Sequence, residues 1–199
     1  MNTNYLINDL KTARKLKLNR MKKLFFCWFV LFFFSSRAQE KWMLDSKISY
    51  ITYEASHFLH DWSGTNQNVK GLLIMDEDFY KKIAIAMYVR EFDSKNSNRD
   101  NNALEILDVL QFPKIEFFSD KIESKNSELK FFGELNFHGT KLNTDIIAEA
   151  VLEENNVLLK GGFDFALSDF EVPLPSFMLR KMEDEIEIKF ELYYRKLDR

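Results

Sequence analysis

From residue 48 onward, apolar and polar positions alternate in short runs separated by polar breaks, the period-two pattern of half-buried strands. Residues 48–55 (ISYITYEA) are the first run. Residues 69–76 (VKGLLIMD) are the second, with Gly71 read as a bulge or sharp bend. The third, 82–92, puts Ile83, Ile85, Met87 and Val89 on one face and Lys82, Ala84, Ala86, Tyr88 and Arg90 on the other. Five more follow an interruption, at 114–122, 129–138, 142–152, 157–167 and 185–194. In the last, Ile186, Ile188, Phe190 and Leu192 oppose Glu185, Glu187, Lys189 and Glu191.

The interruption, residues 92–119, holds the one helical pattern. Ala103, Leu104, Ile106, Leu107 and Leu110 recur at helical spacing, while Glu105 and Asp108 face away. Asp100 or a nearby Asn is expected to cap the first turn, and Phe112-Pro113 to stop the helix. Around it, polar breaks at 124–127, 139–140 and 154–156 are short enough for hairpins, so the strands pair antiparallel. Runs of about ten residues suit a closed barrel better than a sandwich, and closure removes exposed edges. The pattern therefore predicts an all-β, eight-stranded antiparallel barrel with one short helix between strands 3 and 4. On it the helix is a lid, and Leu104, Leu107 and Leu110 close one end of the lumen.

Residues 1–38 do not share the pattern. Met21-Lys22-Lys23 precedes an apolar run to Phe34, and Ser35-Ser36-Arg37-Ala38 has the small residues of a cleavage site. The run is too short for a membrane span, for which about 20 residues are needed. It reads as a secretory signal starting at Met21 and cleaved after Ala38, with residues 1–20 an upstream extension. The mature domain, residues 39–199, would then be periplasmic or secreted, with no stable membrane span. An uncleaved signal anchor is the alternative. Cys27 lies within the leader, so the remainder contains no cysteine.

Removing the leader changes the charge. The chain has 28 Lys/Arg and 31 Asp/Glu; without the eight bases and one acid of residues 1–39, 20 and 30 remain, a formal charge of −10. No basic stripe is left for nucleic acid.

Candidate chemistry is sparse. His57, His60 and Asp61 form an H-x-x-H-D cluster, but metal binding would need further ligands, and His138 is the only other histidine. A loop at 57–64, held by ordinary hydrogen bonds, is the favoured reading. The acid runs at 76–78 and 183–185 read as solvated turns. No nucleophile, zinc or phosphate-loop motif occurs, so neither an enzyme nor a cofactor is expected. The chain has 20 Phe, only six of them in the leader. On the apolar strand faces, Phe117, Phe131, Leu135, Phe137, Phe163, Phe165, Ile186, Ile188 and Phe190 are candidate lumen residues. Individually each could be core; together, on long strands, they suit a lumen for a hydrocarbon chain.

In order along the chain, five segments form a recognisable set. They are His57…His60…Trp62-x-Gly64; Ser94-x-Asn96…Arg99-Asp100…Leu104; Phe112-Pro113-x-Ile115-x-Phe117-x-Ser119; Gly133-x-Leu135-x-x-x-Gly139; and Leu167-Ser168-Asp169-Phe170 with Pro173 and Pro175. From about Trp42 to Tyr194 the chain resembles the YceI-like family of secreted polyisoprenoid-binding proteins. The resemblance implies a lipocalin-like barrel holding an isoprenoid or other long-chain lipid. Asn96, Arg99, Asp100, Leu104 and Leu107 would then form the lid or mouth. Asn96, Arg99 and Asp100 are expected to fix the helix start by local hydrogen bonds and ion pairing, with headgroup contact as the alternative role. A filled barrel that serves as an interaction module of the envelope is the alternative function, and a homodimer stays open.

Overall fold

The computed structural model describes residues 39–177 and 180–197. The leader expected at residues 1–38 lies outside the described residues. In chain order the elements are β1 (Glu40–Leu44), β2 (Tyr50–His57), β3 (His60–Asn66), β4 (Lys70–Asp76), β5 (Phe79–Tyr88) and β6 (Phe92–Asp93). Helix α1 (Ser97–Ile106) follows, then β7 (Lys114–Lys125), β8 (Glu128–Phe137), β9 (Thr140–Glu153), β10 (Asn156–Ala166), β11 (Ser176–Phe177), β12 (Arg180–Lys181) and β13 (Glu185–Lys196).

Eight strands close a ring in the order β1-β4-β5-β7-β8-β9-β10-β13, sealed by antiparallel pairing of β13 back onto β1. The all-β eight-stranded antiparallel barrel is therefore present, with its helix between the third and fourth staves. Its membership differs from the sequence reading. The first stave is β1, a five-residue strand too short to stand out in the pattern. The run read at 48–55 falls instead mostly on β2 (Tyr50–His57), which lies outside the ring.

β13 explains this arrangement. Its C-terminal half pairs with β1, Leu44 opposite Tyr194, while its N-terminal half pairs with β2 from Glu187 to Glu191. β2 continues into β3, and β3 pairs with β6 at Thr65 and Asn66. One long strand thus changes partner half-way along. The wall is β1–β4 at one end and the β2–β3 hairpin at the other. Asn66 fixes the joint. It is fully buried, its Nδ2 donates to the Tyr88 carbonyl at 3.1 Å, and its Oδ1 accepts from the Asn68 N–H at 2.8 Å.

The β1 end is packed solid. Trp42, Leu73, Met75, Leu129, Val157, Leu192 and Tyr194 are each at most 2% exposed. Gly71 belongs to this packing and is not a bulge. A Cβ there would lie 2.8 Å from the Tyr194 hydroxyl and 3.0 Å from Leu44 Cδ1. The register shifts fall at Ile74/Met75 and at Ser119/Lys121, where the Ser119 hydroxyl donates to the Phe132 and Lys121 carbonyls. No signal in residue type separates these bulged positions from ordinary strand.

Two buried polar atoms at the closed end, the Tyr194 hydroxyl and Trp42 Nε1, have no hydrogen-bond partner. An unpaired buried hydroxyl carries a desolvation penalty of about 1–3 kcal/mol. Tyr194→Phe should therefore raise the thermal midpoint. Asn66→Ala should lower stability by about 1–3 kcal/mol, because it strands the Tyr88 carbonyl and the Asn68 N–H. Chemical denaturation of the two variants checks both directions.

Candidate ligand cavity

Alternation sorts the side chains of each wall strand. On β8, Leu129, Phe131, Gly133, Leu135 and Phe137 face inward, and the four large ones are buried. Gly133 makes room for a neighbour: a Cβ there would meet the Phe117 ring at 2.3 Å and the Phe118 carbonyl at 2.7 Å. On β2 and β3, Tyr53, Ala55, His57, His60 and Trp62 face inward, whereas Glu54, Asp61 and Ser63 border a shallow acidic groove outside.

Above the packed end these inward side chains enclose a cavity of about 640 Å³, within the range of small-molecule sites. Its floor includes Phe131, Leu159, Phe190 and Leu192, and its walls Ile83, Ile85, Ile115, Phe117, Ile146 and Ile188. Phe137, Phe165 and Phe170 pack edge-on beside the mouth, with ring centroids 5.3–5.8 Å apart. All nine lumen residues singled out in the sequence stand on this wall, and Asn96, Arg99, Asp100, Leu104 and Leu107 border its mouth.

The mouth is built by short polar contacts. The Asn96 side chain caps α1, its Oδ1 accepting from the Arg99 N–H at 3.2 Å. Asp100 does not cap; its carboxylate reaches back to Ser94, accepting from the hydroxyl at 2.5 Å and from the backbone N–H at 3.2 Å. Arg99 departs from the ion pairing expected of it. Its guanidinium lies 5.6 Å from the centroid of the Trp62 ring, and no ion pair to it occurs among the described residues. Opposite, Asp184 holds the turn Leu167–Phe170 (a 3₁₀ helix), accepting from the Ser168 N–H at 2.8 Å and from its hydroxyl at 2.5 Å. These bonds keep the Asp184 carboxyl below the usual range, so its acid run is more than a solvated turn. Burial pushes the Tyr53 hydroxyl up, and the nearby Asp100 charge adds to that; Arg99 and a hydrogen bond with Trp62 oppose it.

Two expectations are corrected here. Residues 57–64 are not a loop but the tip of the β2–β3 hairpin and most of β3, with His57 paired to His60 and their rings 6.4 Å apart. Polar residues hid this strand, yet His60, Trp62 and Gly64 alternate with Asp61, Ser63 and Thr65 as a strand requires. The helix also ends at Ile106 instead of continuing to Phe112. Asp108 adopts a left-handed backbone (φ 40°), and the chain turns before Leu110, which is 91% exposed and closes nothing. No cluster of three or more potential metal-ligating side chains occurs among the described residues, and His138 Nδ1 lies 3.0 Å from the Phe170 carbonyl.

A model of the YceI-like domain matches residues 42–194. The chain belongs to the YceI-like domain family. Among solved structures, BcnA of Burkholderia cenocepacia is similar over 75% of this chain and 98% of its own, with a TM-score of 0.69 and 16% identity. A polyisoprenoid binding domain from Saccharophagus degradans, implicated in plant cell wall breakdown, is similar over 78% and 98%, with a TM-score of 0.61 and 9% identity. The Campylobacter jejuni YCEI protein is similar over 68% and 85%, with a TM-score of 0.59 and 17% identity. A comparison with curated proteins finds no match. At these identities the solved structures speak to the fold alone.

In this YceI-like barrel α1 is lightly packed: none of its residues is fully buried. Leu107 lines the cavity while Leu110 stands in solvent. Leu110→Ser should leave stability within about 0.5 kcal/mol of the parent, and Leu107→Ser should lower it more, a contrast that thermal melts will read.

Proposed function

We propose that this protein is a lipid-binding barrel that holds an isoprenoid-like or other long amphiphilic chain, tail inward, without transforming it. The observation that carries the reading is the half-filled barrel. The β1 end is packed by its own side chains, while the other half encloses about 640 Å³ behind aliphatic and aromatic walls. Burying an alkyl chain contributes about 0.8 kcal/mol per CH₂, so ten methylenes supply on the order of 8 kcal/mol before ordering costs. That is the scale of a micromolar complex. The polyisoprenoid binding named for the Saccharophagus neighbour supports the same ligand class. The filled-barrel alternative describes only the closed end.

Binding without catalysis suits a wall that is almost wholly apolar. No helix in the described residues is long and apolar enough to cross a membrane. With the leader at residues 21–38, the protein would act in the periplasm or outside the cell, starting at Gln39.

Two measurements test the reading. Native mass spectrometry of protein recovered from its own cells should show a chain beginning at Gln39 carrying a lipid. An apolar fluorescent probe should bind the purified domain, and Ile85→Trp, which fills the cavity from β5, should weaken it at least tenfold while the domain stays folded. A probe that binds equally well to the filled variant would place it elsewhere and overturn the proposal.

A further inference from the structure

The cavity's charged groups run against the charge of the domain around them. Residues 40–199 carry ten more acids than bases, yet the cavity lining contains Arg90 and Arg99 and one carboxylate, Asp100. That carboxylate is occupied by the Ser94 N–H and hydroxyl. The two guanidiniums have no carboxylate at ion-pair distance among the described residues. Alternation produces the separation: Glu54 and Asp61 point out of the hairpin, while Tyr53 and Trp62 point in.

Much of the polar lining comes from two elements, α1 with Asn98, Arg99, Asp100 and Asn102 and the hairpin with His57 and His60, and Arg99 lies against Trp62 between them. Arg90, Asn96 and Ser176 complete the polar lining, and the rest is apolar or aromatic. Arg99 is only partly exposed, and the Trp62 ring under its guanidinium holds the cation beside the apolar wall. A guanidinium held in this way presents its fork to a planar or tetrahedral anion.

We propose that the mouth selects an anionic end group, a carboxylate or phosphate terminating the apolar chain, with Arg99 as its counter-ion. The inference rests on the cavity being a lipid site and adds the chemistry of the head. The acidic outer surface disfavours free anions at large, so selection falls to an anion delivered by a tail that the cavity retains.

The test is a ladder of ligands with one chain and different heads: dodecanoate, dodecyl phosphate, dodecanamide and dodecylamine, each displacing an apolar fluorescent probe at low ionic strength. Dodecanoate and dodecyl phosphate should compete at concentrations at least about tenfold lower than the amide, with the amine weakest. Arg99→Gln should abolish that preference and leave the amide unchanged, and Arg99→Lys should keep part of it. Equal competition by all four heads in the parent protein would overturn the head-group inference and leave the lipid cavity standing. No competition by any of them would overturn both. Arg99→Gln weakening the amide as much as the dodecanoate would reduce Arg99 to a brace for the lid. Inorganic phosphate matching dodecyl phosphate would make this a free-anion site and equally overturn the proposal. The parent ladder decides even if a variant fails to fold.

Discussion

The change of partner along β13 is the constraint on which the rest of this molecule depends. A strand has two hydrogen-bonding edges, and β10 occupies one of them from Glu185 to Arg195. The other edge is shared: β1 takes the C-terminal half and β2 the N-terminal half. A single ring of eight staves with short β1 at the seam would leave a gap beside the upper part of β13. The β2–β3 hairpin covers that edge and extends the wall outward. The barrel is filled at the β1 end and hollow towards the hairpin.

The same split separates the chemistry. Near the seam with β1, only large apolar side chains meet, and the few polar atoms caught among them, in Trp42 and Tyr194, go unpaired. At the hairpin end the wall includes His57, His60, Tyr53 and Trp62, and α1 adds Asn98, Arg99 and Asn102 beside Ala103, Leu104 and Ile106. Ser94, Asn96 and Asp100 hold the helix by bonds within nine residues of one another. A lid held by local polar contacts, with no fully buried side chain, can move without disturbing the sheet beneath it. The cavity thus has a densely packed floor and, along α1, an edge held by few buried contacts.

Legibility followed the length and regularity of the hydrophobic alternation. β5, β7, β8, β9, β10 and β13 can each be read from nine or more residues of pattern, and with them the inward set from Phe117 to Phe190. The YceI-like motifs added the expectation that the segment around Asn96, Arg99 and Asp100 borders the lumen. Failures came where a strand was short or polar. β1 offers five residues, and β3 begins with His60-Asp61, a pair that looks more like a turn than a wall. Leu110 was assigned to the helix because its spacing fits, whereas the chain leaves helical geometry at Asp108.

Alternation along the chain is enough to mark the long strands and the side chains that share a face. Each such decision is local, since a side chain two positions along a strand returns to the same face whatever the strand pairs with. The tertiary structure decided which strands share which edge. Partner choice depends on residues far apart in the chain, as with Glu54 opposite Glu187 or Leu44 opposite Tyr194. The cavity lining follows from that choice, because it brings Tyr53, His57, His60 and Trp62 of the β2–β3 hairpin into the wall. The same choice brings Arg99 to Trp62, two residues that no pattern in the chain connects.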